Sequence, residues 1–183
     1  MAEDYFGQVA ELTRSIDLLA LQRVVSVLRD ARERGACVFI FGNGGSAATA
    51  SHMAADLTNA PRRAGQKPLR VFSLADNMAC LSALANDEGY EHTFASQLDA
   101  HVRAGDVVVA ISASGNSPNL LGAIELAKAR GATTVGLVGF DGGDLRHLAE
   151  EVVFVASPIG AYGPVEDVHL MLGHIITTCL CNA

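Results

Sequence analysis

The chain has 183 residues, of which 50% are hydrophobic and 18% charged, and its formal net charge is −7. This length and apolar content predict one globular domain with an ample core. The negative charge argues against general affinity for nucleic acid or anionic membranes. No stretch is long enough to span a bilayer, and the acidic start does not resemble a signal peptide. The four cysteines have no paired spacing and are typical of reduced thiols, so we expect a cytoplasmic protein.

Helical and strand-like patterns alternate along the chain. Residues 2–34 predict two helical segments, the second of which ends at Gly35. Strands are predicted at 37–41, 70–74, 107–111, 133–138 and 151–156, and helices at 46–58, 77–85, 89–102, 117–130, 144–149 and from about 164 to the end. The segment 59–68, which contains Pro61, predicts a loop. This alternation predicts an α/β fold with a parallel sheet and right-handed crossovers.

A glycine-rich segment, Gly42–Ser46, separates the first predicted strand from the next helix. We call it the glycine loop. Its glycines let the backbone approach a ligand closely, and the start of the helix offers free N–H groups and a positive dipole end to an anion. The residues alone are equally consistent with a tight turn in which Ser46 caps the helix.

A second polar segment, Ser112–Ser117, follows the third predicted strand and is called the serine loop. It contains three serines and a glycine but no lysine, so it is not a Walker-type P-loop, and neither loop has the G-x-G-x-x-G spacing of dinucleotide sites. Two such loops at the carboxyl ends of parallel strands predict a small phosphate ester bound at a topological switch point.

Two further groups of residues carry side chains suited to chemistry. His52 and Asp56 lie four apart on the helix after the glycine loop and therefore share one face. A carboxylate there suits a general base, and a histidine suits a metal ligand or a proton shuttle, although a plain surface pair has the same spacing. The last helix carries Glu166, His169 and His174 among apolar residues, so each of these polar side chains needs a partner.

Taken in order, these motifs resemble the SIS (sugar isomerase) domain family and, more narrowly, the phosphoheptose isomerase group. The matching segments are Gly42–Ser46, His52, Asn86-Asp87, Ser112–Ser117, Asp141-Gly142-Gly143 and Glu166…His169…His174. The resemblance implies a single SIS domain over residues 1–183 with a five-stranded parallel, flavodoxin-like sheet flanked by helices. It also implies a homotetramer in which the N-terminal segment 1–34 is used in oligomer packing and the active sites lie at subunit contacts.

The activity implied by the resemblance is an aldose–ketose isomerase that converts sedoheptulose 7-phosphate to D-glycero-D-manno-heptose 7-phosphate through an enediol, for activated-heptose biosynthesis. It implies catalysis by Asp56 and His174, and Zn²⁺ bound by His52, Asp56, Glu166 and His174. The residues expected to contact the phosphorylated sugar are Asn43, Gly44, Gly45, Ser46, Asn86, Asp87, Ser112, Ala113, Ser114, Ser117 and Glu166.

The chain departs from the family pattern at several positions. Asp56 stands where the family has glutamate, Glu166 where it has glutamine, and Ala113 where it has threonine; Gly163-Pro164 replaces an Asp-Arg pair. These changes leave open another phosphosugar, or a non-catalytic SIS protein that senses sugar phosphates or binds other proteins. The carboxylate at Asp56 favours an enzyme.

The spacing of Glu166 and His174 constrains the predicted metal site. Eight residues along a helix correspond to about 12 Å, whereas ligands of one zinc lie about 2 Å from the ion. Either Glu166 precedes the helix, where the backbone can bend back, or the two residues serve different copies of the site.

Overall fold

The computed structural model describes residues 1–182, in which five strands alternate with helices. The strands are β1 (Cys37–Gly42), β2 (Arg70–Ser73), β3 (Val107–Ser112), β4 (Thr133–Val138) and β5 (Glu151–Phe154). The helices are α1 (Ala2–Arg14), α2 (Leu18–Arg34), α3 (Gly45–Arg63), α4 (Met78–Asp87), α5 (Thr93–His101), α6 (Pro118–Ala129), α7 (Leu145–Leu148) and α8 (Tyr162–Cys181), with a 3₁₀-helix at Tyr90–His92.

All five strands are parallel and form one sheet in the order β2-β1-β3-β4-β5. The predicted five-stranded parallel α/β fold is therefore confirmed. Strand β3 is buried along its whole length, as its continuous apolar sequence predicts. The strand order reverses between β1 and β3, so the glycine and serine loops leave neighbouring strands at the same edge of the sheet. Ligands bind at such switch points in open α/β sheets.

A hydrophobic core lies on each face of the sheet. On one face, α2, α3 and α8 contribute buried side chains such as Leu28, Leu57 and Leu172. On the other face, α5 and α6 contribute Phe94 and Ile124. The sheet is thus the middle of three layers, which is the arrangement expected for βα alternation.

Helices α3 and α8 approach each other closely at Gly173. A Cβ atom added to this glycine would lie 2.6 Å from Cγ of Met53, which is buried. Because the residues next in sequence to this contact are His52 and His174, the close approach of the two helices brings their imidazoles together.

The two predicted N-terminal helices are present, and local signals set their boundaries. Asp17 caps α2 by accepting hydrogen bonds from the N–H groups of Leu19 and Ala20. Gly35 ends α2 with a φ of 71°, a left-handed conformation that glycine adopts readily. Among residues 1–182, no helix combines the length and apolar composition that crossing a membrane requires.

The prediction of a loop from residue 59 was wrong, because α3 continues through Pro61 to Arg63. Pro61 cannot donate a hydrogen bond to the carbonyl one turn back. It is nevertheless buried on the same face as Leu57, and its own carbonyl accepts the N–H of Gln66 at 2.8 Å. Burial of this face therefore outweighs the helix-breaking tendency of the proline.

Candidate active site

The glycine loop turns sharply because its glycines permit contacts that a side chain would block. A Cβ atom at Gly42 would lie 2.7 Å from the carbonyl oxygen of Ile111 on β3. Gly44 has a φ of 55°, which favours glycine. The carbonyl of Asn43 accepts the N–H groups of Ser46 and Ala47 and so starts α3, with Ser46 buried beneath the loop.

The serine loop is held by its own hydroxyl groups. Ser112 Oγ accepts the N–H of Gly115 at 2.9 Å, and Ser114 Oγ accepts the N–H of Asn116 at 3.3 Å. Ser117 occupies the N-cap position of α6 but makes no side-chain capping bond. Its hydroxyl therefore remains available to a ligand.

The turn Asp141–Gly143 after β4 packs against the serine loop. The N–H of Leu145 donates to the carbonyl of Gly115 at 2.9 Å, and the N–H of Asp144 donates to Asn116 Oδ1 at 3.0 Å. A Cβ atom on Gly115 would overlap the carbonyl of Gly142, so this contact requires a glycine. The loops after β3 and β4 therefore form one hydrogen-bonded unit.

A cavity of about 140 Å³ lies between the glycine and serine loops. We call it the loop cavity. Its lining residues are Asn43, Ser46, Ile111, Ser112, Ala113, Ser114, Ser117, Tyr162 and Glu166. Within the described part of the chain, no lysine or arginine lines it. Hydroxyl groups, loop N–H groups and the N-termini of α3 and α6 are thus the groups available to an anion.

Glu166 reaches the loop cavity from α8. Its carboxylate lies directly over Gly45, where an added Cβ atom would come within 2.5 Å of both carboxylate oxygens. The absence of a side chain at position 45 therefore makes room for this carboxylate at the start of α3. Because the side chain is half-buried and lines the cavity, it is placed to accept hydrogen bonds from sugar hydroxyls.

His52, Asp56 and His174 form a second group, here called the His–Asp cluster. His52 Nε2 lies 3.3 Å and His174 Nε2 lies 3.9 Å from Asp56 Oδ2, and the two Nε2 atoms are 3.1 Å apart. His52 and Asp56 come from successive turns of α3, and His174 comes from α8. Asp56 is half-buried, whereas both histidines are exposed.

The donor set of the His–Asp cluster suits a divalent transition metal. Its two imidazole nitrogens and one carboxylate oxygen all lie within 4.8 Å of one another. Zinc commonly takes three such protein ligands in catalytic sites and leaves one position for substrate or water. The residues present therefore fit zinc, with His52, Asp56 and His174 as ligands.

Glu166 does not belong to this cluster. It lies inside α8, which begins at Tyr162, so the first of the two alternatives, that Glu166 precedes the helix, does not hold. One turn of an α-helix advances only about 5 Å, so a residue eight positions from His174 remains far along the axis. Within one chain, the four predicted metal ligands fall into two groups, with Glu166 in the loop cavity.

Two other predicted substrate contacts belong to neither group. Asn86 and Asp87 are exposed at the end of α4, and Asn86 Nδ2 donates to Asp87 Oδ1 at 2.8 Å. Neither residue lines the loop cavity. The remaining predicted contacts either line that cavity or, like Gly44 and Gly45, form the turn beside it.

The structure also places residues in the site that the sequence analysis did not identify. Tyr90 and Asn119 hydrogen-bond to Asn43, and Tyr162 lines the loop cavity with its ring 4.9 Å from that of Phe140. Asn119 lies two residues after the serine loop, and this position in the sequence could have identified it as a residue of the site. Nothing in the local sequence marks Tyr90, since its role depends on a contact with a residue 47 positions away.

His169 lies on α8 between Glu166 and His174 and is fully buried. Burial lowers its pKa to about 4, and the nearby Val138 carbonyl offsets only part of that shift. Neither ring nitrogen makes a hydrogen bond of regular geometry with any of the described residues. The imidazole is therefore neutral near pH 7 and belongs to the packing of α8 rather than to the His–Asp cluster.

Comparisons with known proteins agree with this geometry. The family model of the SIS domain matches residues 4–139. The phosphoheptose isomerase of Pelobacter propionicus is 39% identical over 96% of this chain and 95% of its own length. The phosphoheptose isomerase of Citrifermentans bemidjiense is 38% identical over 86% of this chain and 80% of its own length. The solved phosphoheptose isomerase of Neisseria gonorrhoeae superposes with a TM-score of 0.88 at 28% identity, covering 99% and 95% of the two chains.

The Pelobacter and Neisseria proteins match nearly the whole chain, whereas the family model ends at residue 139, before α8. The chain therefore belongs to the SIS domain family and, within it, to the phosphoheptose isomerase group.

Proposed function

We propose that this protein is the isomerase that interconverts sedoheptulose 7-phosphate and D-glycero-D-manno-heptose 7-phosphate in activated-heptose biosynthesis. The observation that carries the proposal is that the His–Asp cluster lies on the same two helices, α3 and α8, that also line the loop cavity. The relatives named phosphoheptose isomerase support this substrate class.

The reaction moves a proton between adjacent carbons through an enediol, and the cluster offers the groups for that step. Asp56 acts as the base that removes the proton from one carbon and returns it to the other. His174, with Nε2 at 3.9 Å from Asp56 Oδ2, donates and accepts the proton of the neighbouring oxygen. The loop cavity holds the phosphate through Ser112, Ser114 and Ser117 and leaves the reacting end of the sugar free.

Incubation of the purified protein with sedoheptulose 7-phosphate, followed by NMR, tests the activity. We expect signals of the aldose phosphate to appear with the wild type and to be absent with Asp56→Asn. Binding of the ketose phosphate without turnover would instead identify a non-catalytic sugar-phosphate protein. Turnover of a different ketose phosphate but not of sedoheptulose 7-phosphate would support the isomerase activity and show that the substrate is a different sugar phosphate.

We further propose that the His–Asp cluster holds one Zn²⁺ per subunit through His52, Asp56 and His174. Bound there, zinc would act as a Lewis acid on an oxygen of the substrate and would take over the role of His174 Nε2, while the carboxylate oxygen of Asp56 that does not hold the metal would stay free to act as the base. Glu166 joins this ligand set only as a residue of another copy of the chain. Elemental analysis of protein purified without chelators tests the proposal. We expect stoichiometric zinc, which His52→Ala should lose; protein without metal whose activity resists EDTA would contradict it.

We also propose that the protein assembles as a homotetramer through its N-terminal segment. Phe6, Leu18 and Leu19 are 72%, 66% and 67% exposed, and Met171 and Ile175 of α8 add further exposed apolar surface. A groove of about 460 Å³ lies between α2 and α8. Burying this surface against other subunits is favourable. Sedimentation should show a tetramer, and an active monomer would contradict the assembly.

Mixing two inactive variants tests whether subunits share a site. Asp56 and His174 already meet within one chain, so the informative pair is Asp56→Asn with Glu166→Ala. If Glu166 serves the cluster of a neighbouring subunit, co-refolded mixtures regain part of the activity that each variant lacks alone. No recovery would place Glu166 and Asp56 in the same functional unit.

We propose a cytoplasmic location, which the four free cysteines support. Fractionation of the native host tests it. Recovery of the protein with cytoplasmic markers is expected, and recovery with periplasmic markers would contradict it.

A further inference from the structure

The side chain of Asn43 joins three segments of the site. Its Nδ2 donates to Asn119 Oδ1 at 3.0 Å, and Asn119 Nδ2 donates to Asn43 Oδ1 at 2.9 Å, so the two amides form a reciprocal pair. The hydroxyl of Tyr90 donates to the same Asn43 Oδ1 at 2.8 Å. Asn43 belongs to the glycine loop, Asn119 to the first turn of α6, and Tyr90 to the 3₁₀-helix.

These bonds use most of what Asn43 can offer. An amide oxygen accepts two hydrogen bonds, and both are taken by Asn119 and Tyr90. The backbone carbonyl is occupied by the N–H groups of Ser46 and Ala47. Of the hydrogen-bonding groups of the side chain, one Nδ2 hydrogen remains for a ligand. The side chain of Asn43 is therefore first a structural link and only second a substrate contact.

The burial of Asn119 shows that this link is firmly held. The residue is only 2% exposed, so without Asn43 its amide would be left unpaired inside the protein. Leaving a buried polar group unpaired is costly. Since α6 starts directly at the serine loop, the amide pair fixes how far the glycine loop lies from the serine loop.

We propose that Asn119 and Tyr90 are positioning residues that act through Asn43. They hold the glycine loop at the distance from the serine loop that a phosphosugar spans when its phosphate lies on one loop and its sugar oxygens on the other. This inference rests on the proposed function, because it requires a ligand that touches both loops.

Tyr90→Phe is the first variant to examine, because it removes one hydroxyl from a half-exposed ring and leaves the core unchanged. Calorimetric titration with sedoheptulose 7-phosphate should show a Kd that rises about fivefold, the effect of one hydrogen bond. The Kd for inorganic phosphate, which is small enough to bind the serine loop alone, should stay unchanged. In turnover assays the change should appear in KM rather than in kcat, because the His–Asp cluster is not altered.

A double-mutant cycle separates positioning from direct contact. If Tyr90 and Asn119 act only through Asn43, then Tyr90→Phe and Asn119→Ala add nothing further in an Asn43→Ala background. Should Asn119→Ala fail to fold, Tyr90→Phe completes the cycle by itself.

Four results would overturn the inference. These are an unchanged phosphosugar Kd in Tyr90→Phe, equal weakening of phosphosugar and inorganic phosphate, additive effects in the Asn43→Ala background, and a wild type that does not bind the phosphosugar. Wild-type binding without turnover would refute only the proposed function, because calorimetry measures the cycle without catalysis.

Discussion

The loop cavity and the His–Asp cluster are built in opposite ways. The cavity is formed by loops whose backbones are fixed by glycines and by bonds such as Ser112 Oγ to the Gly115 N–H. The cluster consists of three partly exposed side chains from α3 and α8, and they contact one another. One region is organised before a ligand arrives, whereas the other presents groups that can change their protonation or take a metal.

Both regions nevertheless share the same two helices. Helix α3 places Ser46 in the cavity and Asp56 in the cluster, and α8 places Glu166 in the cavity and His174 in the cluster. Rigid backbone groups suit the binding of a phosphate, whose charge does not change during the reaction. Side chains with free protonation sites suit proton transfer. The packing of α3 on α8 therefore sets the distance between the loop cavity and the His–Asp cluster.

Asp56→Asn is expected to have the largest effect and to separate the two regions most clearly. The amide keeps the size of the side chain but cannot act as a base, so kcat should fall at least about a hundredfold. The phosphosugar Kd should change little, because the cavity is untouched. Steady-state kinetics and calorimetry check both values, with Asp30→Asn on the exposed face of α2 as the matched control.

Asp56→Glu tests how the cluster is adapted to its shorter carboxylate. A rise in activity would show that the site still has the geometry of the family's glutamate. A loss of activity would show that the site accommodates only the shorter side chain of aspartate. Full activity of Asp56→Asn would remove the residue from catalysis altogether.

His169, on the part of α8 between the two regions, should make stability depend on pH. Its folded pKa of about 4 lies below its ordinary value of 6.5, so the unfolded chain binds more protons between these values. Stability is therefore fully present above pH 6.5 and is lost as the pH falls toward 4. Between pH 6.5 and 5 the loss amounts to roughly 1.5 kcal/mol.

Urea unfolding at several pH values measures this loss. Carboxylates add their own acid sensitivity, so the comparison is with His169→Gln, which lacks the titrating group. The free energy of unfolding of the wild type should fall relative to that of the variant as the pH drops toward 5. Parallel pH profiles would show that His169 does not stay neutral in the folded protein.

Gly173→Ala should disturb the cluster and leave the cavity intact. The added methyl group would meet Met53 Cγ at 2.6 Å and force α3 and α8 apart next to His52 and His174. Misplacing catalytic groups by a fraction of an ångström is costly, so kcat should fall about tenfold. Gly122→Ala on α6 is the matched control, since its Cβ atom meets nothing within 4 Å. Equal activity of the two variants would show that the cluster tolerates helix separation.

The sequence predicted the parallel sheet and both loops because those features depend on local patterns, namely apolar runs, glycines and serines. It also predicted that His52 and Asp56 share a helix face, which the spacing of four determines. It missed Tyr90, Asn119 and Gly173, whose roles come from contacts between distant segments. It placed Pro61 in a loop because proline's local preference carries no information about the buried face that Pro61 shares with Leu57.

Ser114→Ala should have the smallest effect and test the cavity alone. Ser114 Oγ accepts the N–H of Asn116 in the structure and lines the cavity, so its loss removes one hydroxyl contact to the phosphate and loosens one turn of the loop. We expect KM to rise about fivefold with kcat retained. Ser117→Ala should raise KM similarly without affecting stability, since its hydroxyl makes no capping bond. Ser82→Ala on exposed α4 controls for the loss of a surface hydroxyl. If neither loop variant changes KM, phosphate binds outside the serine loop, and the division of labour between cavity and cluster fails.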